Sequence, residues 1–415
     1  MSEPLRGACL VGQSGGPTSV INSSLYGVVK TALGSPFVTT VYGAEHGVRG
    51  ILDDRLMILD REDPAELALL PVTPSSALGS VRYKMKDPEA DDTDYRRILE
   101  IFQKYNIRYF FYIGGNDSMD TCAKVSRYMA GAGYECRVIG VPKTIDNDLF
   151  GTDHCPGYGS AAKYIATTLM EVYLDATVYD SGMITVVEIM GRNAGWLTAA
   201  AALASARGMG PDLIYLPETD FDLERFFADV QRIYDAKKKV LIAVSEGIHD
   251  KDGRYISEYG SDMAQSLDAF GHAQMGGLAA TLVALIKARI PTKLRGIELS
   301  LMQRCAAHCA SKTDVEEAFL AGQFAMEQAL AGQTGYMAAF RRAPGTDYAC
   351  EPFLLPLEQA ANAEKKVPLE WITPDGCGVT EDFIAYAAPL VAGEQPRVTQ
   401  DGLPRFCRLK KVFAE

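Results

Sequence analysis

The strongest constraint on how this chain can fold is a pattern that occurs three times: a short apolar, β-branched run, a glycine turn, then a helix-like segment. Cys9–Val11 precedes "GQSGGPTSVINSSLYGVV", Tyr109–Ile113 precedes "GGNDSMDTCAKVSRYM", and Ile184–Met190 precedes "GRNAGWLTAAAALASA". Val138–Val141, Leu213–Leu216 and Val240–Val244 are further predicted strands, each bounded by turn or loop residues. Strands alternating with helices specify an α/β fold with mostly parallel sheets. In such sheets ligands bind beyond the carboxyl ends of the strands, and the polar clusters of this sequence fall at those ends.

Four such clusters stand out. Gly15 and Gly16 end the first strand, where adjacent glycines admit an anion to backbone N–H groups at a helix N-terminus, or simply make a tight turn. No Gly-Lys-Ser/Thr occurs in the chain, so this is not a Walker A loop, and GxGxxG spacing is absent there. After the second strand come Gly115, Asn116, Asp117 and Ser118, read either as a helix N-cap or as a phosphate turn whose oxygens face Mg²⁺.

The third cluster, "GVPKTIDNDL", places Lys143, Thr144, Asp146 and Asp148 together. Carboxylates two residues apart in extended chain point the same way, so one can accept a proton while the other orients a metal or a basic partner. A solvated Asx-rich turn is the alternative. In the fourth, Gly191 and Arg192 could set a guanidinium on a phosphate ester, or leave it on the surface. Cys305, His308 and Cys309 in "RCAAHC" read as packing groups, because no second ligand pair accompanies them.

The 415 residues suffice for two or three domains, and a formal charge of −12 argues against nucleic acid and anionic membranes as partners. A signal-peptide h-region and a membrane-length apolar run are both missing, so a cytoplasmic location is expected. Nine scattered cysteines without a CxxC pair suggest reduced thiols. From about Ala343 onward the chain is rich in Pro and charge, with "PLEQAANAEKKVPLEWITPDG" reading as irregular connections, and the tail is expected to wrap the body.

Taken in order, "SGGPTSVIN", "ALGSVRYK", "GGNDS", "PKTIDND", "MGRNAGW" and "SEG" at Ser245–Gly247 resemble the signature segments of the phosphofructokinase family, from the N-terminus to about residue 345. The resemblance implies phosphoryl transfer to the 1-hydroxyl of fructose 6-phosphate with Mg²⁺. It also implies two doubly wound, Rossmann-like domains with the active site in the cleft between them. Residues 1–150 with about 305–345 would hold the phosphoryl donor, about 151–304 the sugar phosphate, and 346–415 would be an extension packed on the body.

Carried over by position, Asp146 resembles the general base, with Thr144 beside the substrate and Asp148 nearby. Gly15, Gly16, Gly115 and Ser118 would contact the donor, and Arg82 would stabilise the transferring group. Met190, Gly191, Arg192 and Glu246 match the sugar-phosphate pocket. Arg295 and Arg304, nine residues apart, are expected on the 6-phosphate. They are preferred to "FGHAQMGG", which has His272 and Gln274 but Met275 in place of an arginine.

The metal position falls on Asn116. Leu301 replaces a common histidine, and Met183 replaces an arginine that in many bacterial members reaches a neighbouring subunit. Asp117 and Lys143 stand where ATP-using relatives carry glycines, and the pair resembles the pyrophosphate-dependent branch. A homodimer or homotetramer is expected. An ATP-dependent or sedoheptulose 7-phosphate-using kinase, and a non-catalytic regulatory subunit, are the alternatives.

Overall fold

The computed structural model describes residues 4–259, 277–345, 347–361 and 363–415. The first five strands are β1 (Gly7–Gln13), β2 (Val38–Ala44), β3 (Leu56–Ile58), β4 (Ile107–Gly114) and β5 (Arg137–Pro142). Next come β6 (Met183–Ile189), β7 (Leu213–Tyr215), β8 (Lys239–Ser245) and β9 (Lys293–Glu298), and the chain then returns with β10 (Tyr336–Arg342) and β11 (Cys350–Pro356). Two sheets result. One has seven strands in the order β11-β10-β5-β4-β1-β2-β3, the other four in the order β7-β8-β6-β9. The smaller sheet is parallel throughout, and the larger is parallel except for its two edge strands, β3 and β11.

The central strands are apolar on both faces because helices cover both faces. Along β4, Phe110 and Tyr112 enter one core and Tyr109, Phe111 and Ile113 the other. In the smaller sheet Val187 and Ala243 face one core while Val186 and Ile242 face the opposite one. Helix Ile21–Leu33 lies against helix Lys312–Leu330 with almost no side-chain spacer. A Cβ on Gly27 would sit 2.2 Å from the Phe319 carbonyl oxygen, and one on Gly322 2.0 Å from that of Ser24. This contact joins the late part of the chain to the first sheet.

Before its irregular connections the tail adds a strand that has no signature in the sequence. Cys350–Pro356 is a full strand, antiparallel to β10, so the first sheet extends past residue 345. Pro352 and Pro356 hide it in the sequence, and an edge strand tolerates them because one side of its backbone needs no ladder donor. Further on, Ile58 N–H donates to the Val412 carbonyl and Ala414 N–H to that of Leu56, laying the last residues along β3.

Candidate active site

The turn leaving β5 gathers Lys143, Thr144, Asp146 and Asp148 at one cavity wall. Lys143 is 4% exposed; its N–H donates to the Gly114 carbonyl (3.0 Å) and its Nζ to the Gly16 carbonyl (2.6 Å). The ammonium therefore spans the ends of β5 and β1. Two residues on, Asp146 N–H donates to Thr144 Oγ1 at 3.0 Å. Asn147, fully buried, then turns the backbone through φ = 56°. Its Nδ2 donates to the Tyr386 hydroxyl (2.8 Å) and its Oδ1 accepts from Cys155 N–H (2.9 Å). Asp146 and Asp148 thus share one cavity because Asn147 is pinned inward in a left-handed turn, and not because the chain is extended as its spacing suggested.

Two adjoining cavities meet at this turn, sharing Gly16, Arg82, Lys143, Thr144, Asp146 and Asp148. The larger, about 490 Å³, adds Gly15, Lys84, Gly115, Asn116, Asp117, Ser118 and Glu364. It faces the start of helix Asn116–Gly131, whose N-cap is Gly115 with no side-chain cap. The first-turn N–H groups there, with the helix dipole, suit an anion, and Asp117 and Ser118 are not spent as caps. The smaller cavity, about 410 Å³, adds Met190, Gly191, Arg192, Asn193, Glu246 and Arg304. Gln303 Oε1 accepts from Met190 N–H at 3.1 Å, tying Arg304's segment to the turn after β6.

Burial governs the charges. It pushes the Asp146 carboxyl up to about 6, helped by Asp148 and opposed by Lys143. Asp148 is raised for the same first reason. Burial pulls the Lys143 ammonium down to about 8 against the pull of both aspartates, with Arg304 and Arg82 adding to the lowering. A base and an acid therefore stand side by side with their ordinary separation much narrowed, an arrangement concentrated at catalytic sites.

A protein-family model described as "Phosphofructokinase" matches residues 8–295. The chain belongs to the phosphofructokinase family. A relative from Halomonas elongata, named pyrophosphate–fructose 6-phosphate 1-phosphotransferase, is 42% identical over 407 residues, covering 97% of this chain and 96% of its own length. One of the same name from Methylococcus capsulatus is 43% identical over 404 residues, covering 96% and 95%. The crystal structure of a pyrophosphate-dependent phosphofructokinase from Nitrosospira multiformis superposes with a TM-score of 0.89 at 37% identity, over 99% of this chain and 98% of that one.

Against the family pattern, the cleft gathers every residue expected of it except Arg295. That side chain leaves β9 before the strand's carboxyl end and pairs with Asp175 at 2.7 Å on the surface, whereas Arg304 follows the strand and enters the cavity. Met183 begins β6 and is buried; Leu301 is exposed. His272, Gln274 and Met275 lie outside the described residues. All nine cysteines are free thiols.

Hard oxygen ligands line the larger cavity. Asn116 Nδ2 donates to Asp148 Oδ2 at 3.2 Å, while its Oδ1 is buried and accepts no hydrogen bond among the described residues. An unused amide oxygen beside Asp117 and Asp148 fits a magnesium ion. Glu364 and Asn193 were not legible as site residues. Glu364 arrives from the tail with no local motif around it, and Asn193 could have been suspected only from its place beside Arg192.

Proposed function

We propose that this chain reversibly transfers a phosphoryl group from pyrophosphate to the 1-hydroxyl of fructose 6-phosphate, giving fructose 1,6-bisphosphate and phosphate. The observation that carries the choice of donor is the pairing of Asp117 and Lys143 in the donor cavity. Asp117, its side chain 83% exposed, stands at the solvent edge, 4.0 Å from Lys84. There its charge and volume oppose the α-phosphate of a nucleotide. Lys143, buried at the other end, offsets charge on a leaving phosphate that has no nucleoside to anchor it. The two relatives and the solved structure above, by their names, support the same reading.

In the forward direction the ionised Asp146 takes the proton of the sugar 1-hydroxyl as its oxygen bonds to the terminal phosphorus of pyrophosphate. The bridging P–O bond breaks and inorganic phosphate leaves. Arg82, which lines both cavities, faces the oxygens of the transferring group. Arg192 and Arg304 hold the ester phosphate of the sugar, with Glu246, Thr144, Met190 and Gly191 around the ring. Asn116, Asp117 and Asp148 would hold Mg²⁺, which when bound neutralises donor oxygens. In the reverse direction the protonated Asp146 returns its proton to the sugar oxygen.

Residues of the first sheet and the helix Lys312–Leu330 form the donor side, and the smaller sheet forms the sugar side. A homo-oligomer is supported by exposed Leu174, Val178, Tyr179, Leu301 and Met302, which lie on and just past the end of helix Tyr158–Thr177 and at the start of the helical turn Met302–Cys305 packed beside it. No helix among the described residues is long and apolar enough to cross a membrane. The deciding experiment is turnover of fructose 6-phosphate with Mg²⁺ and either pyrophosphate or ATP. Pyrophosphate is expected to be the efficient donor, and efficient use of ATP with none of pyrophosphate would overturn the reading.

A further inference from the structure

We propose that the tail segment Glu364–Val367, beyond the region matched by the family model, is a strap that fixes the distance between the base-bearing turn and the sugar-phosphate turn. Lys365 is its positioning residue. The inference rests on the phosphoryl-transfer reading above.

On one side the strap is sewn to the turn that carries the base. Lys365 N–H donates to the Asp148 carbonyl at 2.8 Å, and Glu364 bridges antiparallel to Leu149. The Lys365 ammonium caps two further carbonyls of the same loop, Thr152 at 3.1 Å and Asp153 at 2.7 Å.

On the other side the strap is sewn to the turn after β6. Trp196 Nε1 donates to the Lys365 carbonyl at 2.8 Å, and the ammonium stands 4.9 Å from the centre of the Trp196 ring. Val367 N–H and Gly195 N–H donate to the same oxygen of Glu218, at 3.0 and 2.8 Å. Asn193, next to Arg192, donates its Nδ2 to Glu364 Oε1 at 3.0 Å. A four-residue segment thus holds Asp148, two residues from the base, and Asn193, beside the phosphate-binding guanidinium.

The physical consequence concerns the rate more than the affinity. Each turn by itself binds its own part of the reactants, but in-line attack needs the sugar oxygen and the base held in mutual register, and an error near 1 Å costs on the order of 10²-fold. Lys365 suits the task because its charge is neutralised by carbonyl dipoles and an aromatic face, so it does not compete with the cationic groups of the cleft for phosphate.

The test compares wild type with Lys365→Met, Lys365→Arg and Glu364→Ala, assayed with pyrophosphate, Mg²⁺ and fructose 6-phosphate. Lys365→Met is expected to lower kcat about 30-fold while KM for fructose 6-phosphate stays within about threefold, and Lys365→Arg to recover most of the loss. Glu364→Ala, which leaves the ammonium in place, is expected to lower kcat about fivefold with unchanged thermal unfolding. A folded Lys365→Met enzyme with kcat within twofold of wild type overturns the proposal. If that variant does not fold, an unchanged kcat in Glu364→Ala overturns it instead. Failure of wild type itself to turn over would remove the functional reading and leave the strap's geometry as it stands.

Discussion

At the scale of the residue, Asp146 and Lys143 define a narrow working range. As the proposed base, Asp146 is competent only when ionised, and burial first, then Asp148, holds its carboxyl at about 6, so kcat/KM is expected to fall as pH drops below that value. In its proposed role Lys143 offsets leaving-group charge only when protonated, and burial brings its ammonium to about 8, so kcat/KM is expected to fall again as pH rises past it. A bell-shaped profile between roughly 6 and 8 is expected in the free enzyme's parameter. Asp146→Asn should lower kcat by about 10³-fold, leave KM for fructose 6-phosphate within about threefold, and abolish the acid limb. Steady-state kinetics across pH on the two proteins checks this. A variant that keeps the acid limb would show that another carboxyl is the base.

At the scale of the element, two glycine turns set the position of Arg192, the proposed ligand of the sugar phosphate. Gly247, in the turn after β8, lies so close to the turn after β6 that a Cβ would stand 1.9 Å from the Arg192 carbonyl oxygen. Ser245 Oγ locks the same pair of turns by donating to the Gly191 carbonyl at 2.6 Å. Gly247→Ala must push Arg192 outward. KM for fructose 6-phosphate is expected to rise at least tenfold, the equivalent of about 1.4 kcal/mol, with a smaller change in kcat. Unaltered KM in a folded variant would refute this placement of the guanidinium. Turns of this kind were readable in the sequence because parallel strands buried on both faces are apolar throughout, and their glycines mark where the run stops. By contrast β9 (KLRGIE) starts and ends with charge at an edge of the smaller sheet, and β11 contains prolines, so neither has a local signature. The same limit hid the strap: Glu364 and Lys365 meet Leu149 and Asp148 across more than two hundred residues of sequence, and no periodicity encodes such a contact.

At the scale of the whole molecule, the loop that carries Asp146 is held from behind by a buried ionic cluster that the motifs did not reveal. His154 directs Nδ1 to Asp153 Oδ2 at 2.9 Å and Nε2 to Glu317 Oε2 at 2.7 Å, so both ring nitrogens face carboxylates and the ring donates to both as an imidazolium. Burial opposes that charge, but the hydrogen bonds to Asp153, Cys350 and Glu317 and the charge of Glu317 outweigh it, and the ring is held protonated well above its ordinary range. Arg342 of β10 joins Asp153 at 3.0 Å, Tyr348 donates to Glu317 at 2.7 Å, and Phe340 stacks on the ring at 5.4 Å. The cluster therefore ties the loop following Asp148, the helix Lys312–Leu330 and the late strand β10 into one body. A proton bound more tightly by the folded chain than by the unfolded one stabilises folding fully below the unfolded value near 6.5, and this contribution fades as pH rises through the raised folded value. His154→Gln leaves Glu317 and Asp153 facing each other without the cation and should cost about 3–5 kcal/mol where the imidazolium is fully formed. The gap in thermal unfolding temperature between wild type and His154→Gln is accordingly expected to be widest near pH 6 and to narrow as pH is raised. A gap of constant size across that range would mean that His154 acts by shape and stacking alone, with no net contribution from its charge.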